Sequence, residues 1–124
     1  MADEFSFSIA FKFKKADVGE FEKAFLQMVS TIAGNVFIHN MVSVGITEEA
    51  MALGEVTAAK AFCAIYNHDP TNYMEWRDAT GASNDVIYIG PKSGVIFRMG
   101  TDVTAPYLIA NTAAVNAEYW VVPA

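Results

Sequence analysis

The chain has 124 residues, with 14 acidic against 8 basic side chains and a formal net charge of −6. That length supports one domain with a core of its own rather than two, and that charge argues against a surface that tracks phosphate, so nucleic acid is excluded as a partner. No apolar run approaches the roughly 18 to 20 residues of a membrane span, and the acidic stretch Met1 to Glu4 is unlike the basic start of a signal peptide, so no membrane partner is expected.

Hydrophobic residues make up 53% of the chain and charged ones 18%, below the roughly 25% charge of an ordinary domain. A small domain has much surface for its volume, so its surface is expected to be polar through Ser, Thr and Asn and in part covered by other subunits. The single cysteine, Cys63, sits in the apolar run AFCAIY. It is expected as a buried small hydrophobe, and no intrachain disulfide framework exists.

The first element is read from FSFSIAFKFKK, where Phe5, Phe7, Ile9, Phe11 and Phe13 share one parity and Ser6, Ser8, Ala10, Lys12 and Lys14 the other. A period of two is that of a strand with one apolar face. Lysines at its end discourage unplanned edge-to-edge pairing. Residues 1–15 are therefore expected as a long N-terminal strand whose phenylalanine face either completes the core or serves as an arm docking on a neighbour.

Gly19 to Ala33 is ambiguous, because Phe21, Phe25, Met28, Val29 and Ile32 fit a helical stripe while Val29, Thr31 and Ile32 favour a strand. A strand around Phe25 to Ile32, after a turn at Val18-Gly19, is the expectation. Further strands are predicted over Val36 to Val44, Ala61 to Asn67, Tyr73 to Asp78, Val86 to Ile89, Gly94 to Met99, Tyr107 to Asn111 and Glu118 to Val122, with a short turn over Thr47 to Leu53. Turn residues such as Gly34-Asn35, Gly45, Gly54, Asp69-Pro70, Gly81, Gly90-Pro91 and Pro106 separate them at intervals near ten residues. This punctuation predicts an all-β, jelly-roll-like antiparallel β-sandwich of eight or nine strands over residues 1–124.

Within the strand over Tyr73 to Asp78, Met74 and Trp76 are expected inward and Glu75 and Arg77 outward. The later strands are apolar on both parities: Tyr119 and Val121 oppose Trp120 and Val122, and Val95, Phe97 and Met99 oppose Ile96 and Arg98. A sandwich in water keeps its outer faces polar. The excess apolar surface of Ile96, Trp120 and Val122, with that of Phe5, Phe7, Phe11 and Phe13, is accordingly assigned to interfaces with neighbouring subunits.

Chemistry is sparse. There is no phosphate-cradling glycine loop, zinc-spaced Cys/His pair or nucleophile elbow. His39 lies in the strand VFIHNMV, where a hydrogen-bonded structural role is expected, and His68 in the turn NHDPTN, where exposure is expected. The close carboxylate pairs Glu48 with Glu49 and Glu75 with Asp78 read as solvated loop or outer strand faces rather than an acid and a base. Asp69, Asp78, Asp85 and Asp102 lack the spaced ligand pattern of a calcium loop. Trp76, Trp120 and the tyrosines are candidate sugar platforms for which the core is the better assignment. No enzymatic activity and no cofactor are expected.

From Val36 onward the chain resembles small β-sandwich structural proteins of tailed bacteriophages. The matching stretches are VGITEEAMALGEV (Val44 to Val56), NHDPTNYMEWRD (Asn67 to Asp78), SGVIFRM (Ser93 to Met99) and APYLIANTAAVNAEYWVV (Ala105 to Val122). Residues 1–33 lie outside the resemblance, and Ala59-Lys60 stands where such proteins more often turn through Pro-Gly. The resemblance implies a virion component whose partners are copies of itself and other virion proteins, in the first place the major capsid protein. A capsid decoration or cement protein is the expected role, with a tail, baseplate or fibre component and a glycan-binding module as alternatives.

Overall fold

A computed structural model describes residues 4–16, 19–31, 36–81 and 85–123. The chain divides into two compact units, Met1–Ala33 and Gly34–Ala124. The sandwich expected over the whole chain is thus confined to the second unit, and the N-terminal residues form a two-stranded unit of their own.

That first unit is an antiparallel hairpin of β1 (Glu4–Lys15) and β2 (Gly19–Thr31). The strand expected in the ambiguous segment is present and begins earlier than Phe25. Its helix-like spacing has a specific cause. Between Phe7 paired with Met28 and Ile9 paired with Phe25 the register shifts, so that Leu26 and Gln27 stand opposite Ser8 alone. Such a bulge inserts one residue into one strand and moves the residues before it onto the other parity. The register parity of β2 therefore changes at the bulge, and the sequence acquires the four-then-three spacing of a helix while the backbone stays extended. The expected turn at Val18 and that at Gly34-Asn35 fall outside the described residues.

The second unit holds β3 (Ile38–Val44), β4 (Glu49–Ala50), β5 (Phe62–Asn67), β6 (Met74–Arg77), β7 (Val86–Ile89), β8 (Gly94–Arg98), β9 (Tyr107–Ala110) and β10 (Val115–Val122). They form two four-stranded antiparallel sheets, ordered β3-β10-β5-β8 and β4-β9-β6-β7. This is the jelly-roll order: every connection but β6–β7 crosses from one sheet to the other, and the last strand returns beside the first. Two expectations need correcting. The stretch read as a simple turn, Thr47 to Leu53, contains β4, which pairs Glu49 with Leu108 and Ala50 with Tyr107. The last strand starts at Val115 rather than Glu118. Its first residues are small because β10 lies between β3 and β5, where Ala117 is fully enclosed.

The core is the interface of the two sheets. Val44, Cys63, Ile65, Val115, Ala117, Tyr119 and Val121 from one sheet meet Met74, Trp76, Ile89, Leu108 and Ala110 from the other. Each set shares a strand parity, which is why the alternation read from the sequence decides which residues are buried. Trp76 meets Phe97 edge-on at 4.9 Å. Tyr119 brings a hydroxyl into this layer and satisfies it, donating to the Ala52 carbonyl at 2.8 Å and accepting from Asn40 Nδ2 at 2.9 Å.

Asn67 is the one buried polar side chain among the described residues, and it acts as a bolt between the sheets. From the end of β5 its Nδ2 donates to the carbonyls of Asn72 at 2.9 Å and of Ile89, in the opposite sheet, at 3.2 Å, and its Oδ1 accepts the Asp69 amide at 2.9 Å. Asp69 then caps the turn that follows, Oδ1 accepting the amides of Thr71 (2.8 Å) and Asn72 (2.6 Å). Those two donors hold its carboxyl below the usual aspartate value. Lys60 carries a φ of +65°, the left-handed conformation that glycine adopts without steric cost.

Candidate interaction surface

The outer face of the β3-β10-β5-β8 sheet is built in cross-strand rows. Ile96 of β8, Ala64 of β5, Trp120 of β10 and His39 of β3 stand side by side. The next row runs Gly94, Tyr66, Glu118, Met41, and on the other side lies Arg98, Phe62, Val122. Alternation forces this: Val115, Ala117, Tyr119 and Val121 are buried, so Glu118, Trp120 and Val122 must face outward. The three sandwich residues assigned to an interface from sequence, Ile96, Trp120 and Val122, thus share one face. Met41 joins them and is more exposed, at 64% against 36% each for Trp120 and Ile96. Sequence reasoning missed it, although Met41 has the parity of His39 in the same strand.

Small residues shape the face. Ala64, the smallest side chain of its row, lies between Trp120 and Ile96. Gly94 lets the Tyr66 ring lie across β8, since a Cβ there would fall 3.2 Å from Tyr66 Cδ2 and 3.2 Å from the Ile65 carbonyl. Arg98 spreads its guanidinium over the Phe62 ring at 4.9 Å and donates from Nε to the Lys60 carbonyl at 3.0 Å.

At the middle sits a carboxylate between two imidazoles. Glu118 Oε2 is 2.7 Å from His39 Nε2 and Oε1 is 3.0 Å from His68 Nε2. The His39 ring stacks on Trp120 with centroids 4.5 Å apart and planes 3° from parallel, while His68 meets Tyr66 edge-on at 4.6 Å. The hydrogen bonds from His68 and then His39 hold the Glu118 carboxyl below its usual value. His39 is hydrogen-bonded, as expected of it. His68 is half-buried rather than free in its turn, because Glu118 and Tyr66 draw it onto the sheet. The pairing escaped sequence reasoning because β5 and β3 become neighbours of β10 only through the jelly-roll connection.

The outer face of the other sheet is more closed. Arg77 lies between two carboxylates, with Nη2 2.8 Å from Glu75 Oε2 and Nη1 3.1 Å from Glu48 Oε2. Both Glu48 oxygens also accept the Gly81 amide. The carboxylates that converge are therefore Glu48 and Glu75, not the sequence neighbours, and they converge on one shared cation. Tyr73 and Tyr88 rings sit 5.4 Å apart on this face.

Both histidines bond a carboxylate, and Cys63 lies in the core with its thiol pushed up to about 12 by burial. Among the described residues no group of three His, Cys, Asp or Glu is placed to hold a metal ion. Trp76 is a core residue at 4% exposure, which removes it as a sugar platform, whereas Trp120 remains accessible.

On the hairpin, register places Phe5, Phe7, Ile9 and Phe11 on one face with Lys23 and Phe25. Phe5 and Phe7 are half-buried, with ring centroids 5.4 Å apart, and Phe11 and Phe25 are 49% and 50% exposed. The Phe13 side chain lies outside the described set. Lys23 extends over the Phe25 ring, its Nζ 5.4 Å from the centroid. The opposite face holds Lys12, paired to Glu20 at 2.7 Å, and also Leu26, 74% exposed. No protein-family model, curated protein or solved structure matches this chain.

Proposed function

We propose that this chain is a non-enzymatic structural protein of a phage particle, most directly a capsid decoration or cement protein that bridges neighbouring capsomers. The observation that carries the reading is the paired exposure of apolar surface. One hairpin face displays Phe11 and Phe25, and one sheet face displays Met41, Trp120 and Ile96. Surface of this kind on a small folded unit marks contact with other proteins. The jelly-roll order supports the setting at the level of fold, since it recurs in viral capsid and lectin domains, and the resemblance of the stretches from Val44 onward supports a virion location and the major capsid protein as partner.

The physics of such a role is differential binding. Contacts available only on an assembled lattice stabilise that lattice. An interface of about 1,600 Å² per contact suffices, and repetition over many sites compensates for weak individual contacts. The test is direct: purified protein is added to purified phage shells. Saturable binding at a fixed ratio to capsomers, with a raised shell melting temperature, is the expected result. Binding to isolated tails and not to shells would move the assignment to a tail or fibre component.

A second reading has one observation in its favour. Trp120 is a partly accessible indole, stacked on His39 and two positions along β10 from Glu118, and an indole face with polar groups near it is the combination that sugars use. Glycan binding abolished by Trp120→Ala, in a protein that binds no particle, would favour that reading.

A further inference from the structure

We propose that the cleft between the edge strands β7 and β8 binds a small polyhydroxylated molecule of single-sugar size, held by the Trp76 indole N–H and the Asp78 carboxylate. The inference concerns the sandwich alone and does not depend on the particle reading. Trp120 does not line this cleft, so the site is not the outer-face surface considered above.

β7 and β8 are the last strands of their respective sheets. Between them lies a cavity of about 200 Å³, roughly the liquid volume of six or seven waters. Trp76 of β6 and Asp78 just beyond it line one part, and the Asp78 amide donates to the Asp85 carbonyl at 3.2 Å, which fixes the end of the β6–β7 ladder. Phe97, Met99 and Val103 supply apolar wall.

Trp76 Nε1 and Asp78 Oδ1 are the only buried side-chain polar atoms among the described residues without a hydrogen-bond partner, and both residues line this one cavity. Elsewhere the sandwich satisfies such groups: the Tyr119 hydroxyl donates and accepts, and Asn67 uses both ends of its amide. A donor and an acceptor left unmade in the same place are costly, and native folds rarely carry them without a ligand or water to complete the set.

The chemistry of that ligand is constrained. An indole N–H can only donate and a carboxylate accepts. A metal ion or an ammonium group satisfies the carboxylate and leaves the N–H unmet; an anion does the reverse. A hydroxyl group both donates and accepts, and a sugar adds carbon surface for apolar walls with a few polar groups among them. Two further carboxylates, the exposed Asp85 and Asp102, line the cleft and accept other hydroxyls. Glycine at position 100 leaves Asp102 its place, since a Cβ there would fall 3.1 Å from Asp102 Oδ1. Arg98 does not neutralise them, because its guanidinium is spent on the Phe62 ring and the Lys60 carbonyl.

The Trp76 ring is 4% exposed and packs on Phe97, so its N–H edge and not its face meets the ligand. Both orphan atoms are closed to solvent, so the ligand enters by parting β7 from β8. Each of these strands is bonded on one side only, which lets the cleft open without breaking a ladder.

The experiment follows the two indole N–H signals of the nitrogen-labelled full chain by NMR. Glucose, galactose, mannose and N-acetylglucosamine are added in turn, with calcium chloride and ethylammonium chloride as contrasts. Trp120→Phe leaves the Trp76 signal alone in the spectrum and removes the outer-face indole. At least one sugar is expected to shift the Trp76 signal saturably, in wild type and Trp120→Phe alike, with half-saturation at roughly millimolar concentration, ordinary for a ligand of about a dozen non-hydrogen atoms. Trp76→Phe keeps a ring and removes the donor; read at the Gly100 and Val103 amides, it is expected to weaken binding about tenfold. Should circular dichroism show that variant unfolded, Asp102→Ala takes its place, at an exposed position, with an expected loss of about threefold. No shift with any sugar well above millimolar concentration, which leaves a bridging water as the only partner, would overturn the proposal. So would a shift produced by calcium or ethylammonium in place of the sugars, a sugar response lost in Trp120→Phe, or one of undiminished strength in the cleft variant.

Discussion

The two units solve the same problem by opposite means. The sandwich buries an apolar layer between two sheets, and its buried positions form a closed set in which Tyr119 and Asn67 have their polar atoms satisfied. The hairpin has the same alternation, with longer strands of 12 and 13 residues, yet no second layer within its own unit. Alternation therefore specifies which side of a strand is apolar and leaves open what covers it. In the sandwich the second sheet supplies the cover, and the result is a core.

The sharpest test of that contrast is truncation of an aromatic in each unit. Trp76→Ala removes a core side chain and is expected to cost about 3 to 5 kcal/mol, read by urea unfolding, whereas Phe11→Ala is expected to leave the sandwich transition of a dilute sample unmoved. Equal losses from both would break the comparison. Next in size is Asn67→Ala, which leaves the Ile89 and Asn72 carbonyls and the Asp69 amide without their partner and is expected to cost about 2 to 3 kcal/mol. Hydrogen exchange at the Asp69 turn would rise with it.

A smaller effect has the opposite sign. Lys60→Gly places glycine at the φ of +65° and is expected to raise stability by roughly 0.5 to 1 kcal/mol, seen as a higher melting temperature of the sandwich. The smallest is pH-dependent. Because the folded carboxyl of Glu118 is held below its unfolded value, its contribution is present above the ordinary glutamate range and disappears as pH falls through the folded value. Glu118→Gln should therefore be less stable than wild type at pH 7, with the gap closing below about pH 4. A gap that is constant with pH would show that the imidazoles contribute nothing through this carboxylate.

Much of the sandwich was legible from parity and punctuation. Met74 and Trp76 face inward and Glu75 and Arg77 outward as expected, and Ile96, Trp120 and Val122 share the outer face that their parity assigns. What escaped was set by contacts distant in sequence. β4 is two residues long, too short for any period, and exists because β9 pairs with it. The β2 stripe looked helical because a bulge shifts parity midway, an event visible only against the partner strand. The meeting of His39, His68 and Glu118, and that of Glu48, Arg77 and Glu75, depends on which strands lie side by side, information that a jelly roll holds in its connections rather than in any local stretch.

Cys63 has a consequence for the laboratory. It is the chain's sole thiol, wholly enclosed on β5 opposite Val121 and Phe97. An alkylating reagent can reach it only when the sheet opens, so the labelling rate is a clock for breathing of that layer. Timed with and without a binding partner, the same clock reads how firmly that partner holds the sandwich shut, without a dye or tag being introduced.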